Sequence, residues 1–224
     1  MIDSSVCAVV PAKELKVAKR RLATALTHQE RQALSEAMLK DVLNSLSCCS
    51  YVDQIMLVTR DKRAICLAEK YGARVLVDSP EDDVTIAISK AAAKLADEGC
   101  RTMLTVMSDI PLLTTREVEL LLKLDRASSG SILIPSGDGR GTNAVLCSPA
   151  HYAHFRFDGR SYRMNENLAA SYGTPVRQHH SHDIGLDIDT IEDIERFLQR
   201  KSSTVTASFL NSLGYQKGGR TIAN

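Results

Sequence analysis

Between Val6 and Arg200, short apolar runs of strand length alternate with longer stretches whose apolar residues recur at helical spacing. Such alternation permits few folds. Strands buried on both faces must be covered by the helices that connect them, which predicts an α/β, three-layer arrangement around a mainly parallel sheet. The strand-like runs are Val6–Val10, Ile55–Thr59, Arg74–Val77, Met103–Met107, Ser131–Pro135, Asn143–Cys147 and Pro175–Gln178. Thr27-His-Gln-Glu30 has the pattern of a capping box and precedes Leu34, Ala37, Met38, Val42 and Leu46 at helical spacing. Further helices are expected over Lys62–Tyr71, closed by Gly72, over Val84–Asp97, from Thr114 through Lys123, over Ser161–Tyr172 and over Thr190–Arg200. A single domain over residues 1–200 follows. The tail 201–224 is rich in Ser, Thr, Gly and Asn, with one apolar cluster at Phe209–Leu213. It is expected to be frayed or docked on a partner subunit, and burial of that cluster would favour a homodimer.

The 224 residues carry a formal net charge of +1, so nothing in the overall balance calls for nucleic acid or an acidic membrane. No apolar run approaches the length of a membrane span. The first ten residues carry an acid where a secretion signal needs basic residues. Six cysteines show no Cys-x-x-Cys spacing and lie mostly within apolar stretches, as expected of free thiols in a reduced, cytoplasmic protein.

Chemistry concentrates at a few places. In Leu104-Thr-Val-Met-Ser-Asp-Ile-Pro-Leu-Leu113, an apolar strand runs into Asp109, the first charge to emerge from it. Ligands of open α/β sheets bind outside the carboxyl ends of strands, where a carboxylate suits a divalent cation and its phosphate ligands. Asp187 and Asp189 would point the same way if extended, and would add a second acidic strand end. Lys13, Lys19 and Arg21 follow the first strand and could surround a triphosphate. The loop holding them has neither the P-loop pattern nor Gly-x-Gly-x-x-Gly. Gly137, Gly139 and Gly141 are spaced either to bring backbone N–H groups to an anion, with Thr142 adding a hydroxyl, or simply to turn a hairpin. His179, His180 and His182 lack flanking cysteine partners and read as surface, and no Ser/His/Asp nucleophile arrangement can be made out.

These segments together resemble the 2-phospho-L-lactate guanylyltransferase family of deazaflavin coenzyme (F-420) biosynthesis. The resemblance rests on Pro11-Ala-Lys-Glu-Leu-Lys-Val-Ala-Lys-Arg-Arg-Leu22, Ser108-Asp-Ile-Pro-Leu-Leu113, Gly139-Arg-Gly-Thr-Asn-Ala144, Phe155-Arg-Phe157 with Ser161, and Leu186-Asp-Ile-Asp-Thr190 with Glu192 and Asp193. It implies the nucleotide-diphospho-sugar transferase (GT-A/Rossmann-like) fold, Mg(2+), GTP as donor and a small phosphorylated three-carbon acid as acceptor. The acceptor would be 2-phospho-L-lactate, with phosphoenolpyruvate or another phosphorylated molecule as the alternative. A nucleotide-binding module without turnover is the reading from a different class. By the same resemblance, Asp109, Asp187 and Asp189 would hold the metal, and Asp109, Lys19 and Arg21 would be catalytic. Pro11, Lys13, Lys19, Thr85 and Ser108 would bind the nucleotide, and Thr142, Asn143, Asp158, Gly159 and Ser161 the acceptor. Two positions depart from relatives: Asp158 stands where glycine often follows Phe-Arg-Phe, and Val84-Thr85 stands where Leu-Asn is frequent.

Overall fold

A computed structural model describes residues 5–126, 130–149, 155–171, 175–216 and 219–220. Its seven-stranded sheet has the order β3-β2-β1-β4-β6-β5-β7. The strands are β1 (Val6–Pro11), β2 (Gln54–Val58), β3 (Arg74–Leu76), β4 (Thr102–Val106), β5 (Ser131–Pro135), β6 (Thr142–Cys147) and β7 (Val176–Gln178). Only β6 is reversed, antiparallel to β4 and β5, while β5 and β7 again pair in parallel. The short connection between β5 and β6 dictates this, because a few residues can close a hairpin but not a parallel crossover.

Strand β1 is buried along its whole length and divides its side chains between two cores. Val6, Ala8 and Val10 pack with Leu39, Val42 and Leu43 of α1 (His28–Ser47), with α2 (Lys62–Lys70) and with α4 (Thr115–Arg126). Cys7 and Val9 pack on the opposite face with Ile88, Ala91 and Leu95 of α3 (Val84–Asp97) and with Tyr162, which opens α5 (Tyr162–Ser171). That division produces the expected three layers. The end of α5 anticipated at Tyr172 lies outside the described residues.

The predicted capping box of α1 is present: Thr27 Oγ1 accepts from the Glu30 amide at 3.2 Å, and Glu30 Oε2 accepts from the Thr27 amide at 2.7 Å. Thr190 forms a second one with Asp193 at the start of α6 (Ile191–Gln199). Thr114 accepts from the Glu117 amide, so only half of the box expected there is formed.

The tail differs from expectation. Residues of the apolar run belong to α7 (Val205–Ser212), and Leu210 is buried in a third core with Leu34 and Met38 of α1 and Phe197 of α6. Asp41 of α1 fixes the start of α7, its carboxylate accepting from the Val205 and Thr206 amides at 2.7 and 2.9 Å. Phe209 and Leu213 pack against the same core, so this cluster gives no reason to invoke a second subunit. The chain then forms a small ribbon from β8 (Tyr215–Gln216) and β9 (Gly219–Arg220). Among the described residues no helix is long and apolar enough to cross a membrane.

Candidate active site

In the order β3-β2-β1-β4 the chain winds outward from β1 in both directions, and a crevice opens where the winding reverses. A cavity of about 840 Å³ lies there, at the carboxyl ends of β1 and β4. Pro11, Lys13, Ser108, Asp158 and Gly159 line it, with Asp109, Asp187 and Asp189 in its wall.

Lys19 is central to that wall. It enters a short 3₁₀ turn with φ 55° and ψ 41°, and is the only non-glycine residue of positive φ among the described residues. A left-handed backbone costs an ordinary residue about 1–2 kcal/mol, and strain of this kind collects at functional sites. The conformation brings Lys19 Nζ to 2.6 Å from Asp109 Oδ2 and 2.8 Å from Asp189 Oδ1, with the lysine side chain 6% exposed. Burial drives the ammonium toward neutrality, but the charges and hydrogen bonds of Asp109 and Asp189 prevail, pushing its pKa up to about 12. Burial likewise opposes the charge on Asp189, yet Lys19, Arg21 and Lys13 hold its carboxyl below the ordinary value. Arg21 itself is exposed, with Nη1 3.7 Å from Asp189 Oδ2.

Asp187 differs from its neighbours. Its Oδ1 accepts from Asn143 Nδ2 at 3.1 Å, and no ion pair engages it among the described residues. Burial and the Asp109 charge push its carboxyl up to about 6. The expected acidic strand is absent here. Residues 186–189 form an irregular segment, because β4 already has β1 on one side and β6 on the other. One bond, from the Ile188 amide to the Asp109 carbonyl at 3.1 Å, carries the aspartates past the strand end.

The opposite wall is neutral at its base. Thr142 Oγ1 accepts from Ser161 Oγ at 3.0 Å and from Asn165 Nδ2 at 3.0 Å, and all three residues are buried. Asn165 also accepts from the Arg156 amide and donates to the Arg156 carbonyl, which holds the Phe-Arg-Phe segment in place. Ser161 therefore stands behind Thr142 rather than in the cavity. Thr85 is likewise engaged, its hydroxyl accepting from the Phe157 amide at 3.0 Å, and is not among the cavity's lining residues.

The glycine loop offers no ring of free amides. Gly137 donates to the Gly185 carbonyl, Gly139 to the Ser136 carbonyl and Gly141 to Ser136 Oγ. The approach is tight enough that a Cβ on Gly137 would lie 3.0 Å from the Gly185 carbonyl oxygen. Of the two readings of this loop, the turn is the one realised.

Three contributors escape a reading of the sequence. Asn165 is signalled only by its position four residues after Ser161, one helical turn along α5. Arg140 and Arg160 line the cavity above the neutral base, and neither stands out from other surface arginines in sequence. His180 and His182 are exposed, as expected.

The donor set suits a hard divalent cation, although it is no ready-made cage. Among the described residues no three His, Cys, Asp or Glu side chains form a metal-binding group. The Lys19 ammonium is the cation between Asp109 and Asp189, while Asp187 beside them has no cationic hydrogen-bond partner. Magnesium commonly takes only one or two carboxylates and completes its shell with water and phosphate, a demand these oxygens can meet.

Residues 6–220 match the family described as "Guanylyl transferase CofC like". The chain belongs to this family. It is 35% identical over 213 residues to the phosphoenolpyruvate guanylyltransferase of Roseiflexus castenholzii, covering 95% of this chain and 97% of that one. It is 30% identical over 209 residues to the 2-phospho-L-lactate guanylyltransferase of Methanothermobacter thermautotrophicus, covering 93% and 91%. Family membership makes the chain a nucleotidyltransferase enzyme, as the sequence motifs implied. Solved structures bear out the fold. A Desulfovibrio desulfuricans protein described as a nucleotide-diphospho-sugar transferase superposes with TM-score 0.76 at 19% identity, covering 93% of this chain and 95% of that one. A manganese complex of a Mycobacterium tuberculosis protein superposes with TM-score 0.53 at 18% identity, covering 88% and 99%.

Proposed function

We propose that this guanylyltransferase-family chain transfers GMP from GTP to 2-phospho-L-lactate, releasing pyrophosphate. The observation that carries the proposal is the convergence of Lys19, Asp109 and Asp189, at 2.6 and 2.8 Å, facing a neutral hydroxyl-and-amide wall across one cavity. Lys13 and Arg21 supply cations for the triphosphate at the charged wall, and Arg140 and Arg160 supply them for the acceptor's phosphate and carboxylate opposite. Thr142 and Asn143 shape the acceptor seat.

A phosphate oxygen of the acceptor attacks the α-phosphorus, a P–O–P bond forms, and the bond to the β-phosphate breaks as pyrophosphate leaves. The second pKa of a phosphate monoester is about 6, so the nucleophile is already ionised near neutral pH and needs no general base. Lys19 stays charged and places an ammonium beside the phosphates. Asp109 and Asp189, with Asp187 adjacent, would hold a divalent cation, Mg(2+) being the ion proposed. Such an ion neutralises charge developing on the transferring phosphate.

Phosphoenolpyruvate is the second reading, favoured by the 35% identity to an enzyme of that name against 30% for the phospholactate enzyme. Pyrophosphate release measured with GTP and each acceptor in turn separates them. Turnover with 2-phospho-L-lactate at higher kcat/KM supports the first reading, and the reverse order replaces it with the second. No release with either acceptor would overturn both readings and point to another phosphorylated acceptor.

A further inference from the structure

Beside the main cavity lies a smaller recess of about 230 Å³, at the carboxyl ends of β1, β2 and β3 and against the start of α3. It shares Pro11, Lys13 and Val84 with the main cavity, so a ligand can occupy both at once. Four carboxylates surround it, and three of them have well-formed partners of their own. Glu14 pairs with Arg60 at 2.8 Å, Asp82 takes both Lys90 and the Ser79 amide, and Asp83 caps α3 through the Ile86 amide. Asp78 is the exception. Its Oδ2 meets Arg60 Nη1 only at 3.4 Å, and its Oδ1 is buried with no hydrogen-bond partner. A buried carboxylate oxygen without a donor costs free energy and calls for an explanation, one of which is an absent ligand.

The missing ligand group must bring donors rather than acceptors, and must fit a recess adjoining the phosphate cations. Among the common nucleobases, guanine alone presents a ring N–H and an adjacent amino group on one edge, matching the two oxygens of a carboxylate. We propose that Asp78 reads the guanine of the donor nucleotide, accepting from its ring N–H and its 2-amino group, with the Arg60 guanidinium beside it on the same wall. This assignment rests on GTP being the donor, and sets base recognition just beyond the end of β3, apart from Thr85, whose hydroxyl holds Phe157.

Asp78→Asn keeps the shape but exchanges one acceptor for a donor. Xanthine carries a carbonyl where guanine has its 2-amino group, so the variant should suit XTP as the parent suits GTP. Pyrophosphate release would be measured for parent and variant with GTP, ITP, XTP and ATP. The expected result is a fall of about a hundredfold in kcat/KM for GTP, a gain of similar size for XTP and an unchanged acceptor KM. The parent should also prefer GTP over ITP, which lacks the amino group, by about tenfold, and this ratio decides the matter even if the variant does not fold. A folded variant that keeps its GTP preference, or loses turnover without gaining XTP, overturns the assignment, as does a parent that uses ITP as well as GTP. A parent that uses ATP as readily as GTP would instead remove the donor reading, and this inference with it.

Discussion

The two walls of the main cavity are held by different physics. On one, Lys19 binds Asp109 and Asp189 through charge-assisted hydrogen bonds, at the cost of a left-handed backbone, while Asp187 stays half-buried and poorly compensated. On the other, Thr142, Ser161 and Asn165 close a neutral network whose bonds also hold the Arg156 backbone. Ion pairs can change partners as charged ligands arrive, whereas a closed network of buried dipoles fixes a shape. The charged wall should therefore carry rate, and the neutral wall stability together with acceptor fit.

The largest test of that contrast is Asp109→Asn. Metal electrostatics of several kcal/mol imply at least a roughly hundredfold fall in kcat. Unfolding stability should change little, because Asp189 still pairs with Lys19. Asp189→Asn should behave alike, and the double variant should be no slower than the worse single one, since both lose the same cation. Near-normal kcat in folded Asp109→Asn at limiting magnesium would break the comparison on its charged side.

Asn165→Leu probes the other wall. It leaves the Arg156 amide and carbonyl and the Thr142 hydroxyl short of a partner, which should cost about 2 kcal/mol or more in denaturant unfolding. Acceptor KM should rise far more than the KM of GTP. Equal rises for both substrates would show that the network serves the whole cavity.

The smallest effect has the opposite sign. Asp187 titrates near 6 in the folded chain against an ordinary 3.8, so ionising it costs the folded state between those values, and the cost is complete at higher pH. Asp187→Asn in chelator should match the parent near pH 4 and exceed it above pH about 6, by on the order of 1 kcal/mol. Thermal unfolding across that range measures it. A constant difference at all pH values would mean that the aspartate is not strained by its charge.

Sequence carried the fold further than the site. Strand and helix periods, the Thr27 capping box and Asp109 at the end of an apolar strand are local signals, readable without neighbours. Leu186–Asp189 misled because an alternating pattern suits a strand only where a free sheet edge exists, and both edges of β4 are taken. The amides of Gly137, Gly139 and Gly141 were open in sequence but closed by Ser136 and Gly185, and the placement of Gly185 depends on distant chain. Asp78 and Asn165 gained meaning only from what lies near them, one by a buried oxygen without a partner and the other by having several.

The single bond from Ile188 to the Asp109 carbonyl also sets an order of events during synthesis. Strands β1 to β4 can assemble as soon as they emerge, but the second group of aspartates arrives most of a domain later, and loop closure must precede their contact with Lys19. A nascent or truncated chain ending before Ile188 would have a largely formed sheet and no Asp189 to join Asp109 at Lys19. A ligand that needs all three aspartates could then not act as a template for the early fold, and on refolding, secondary structure should return before turnover does.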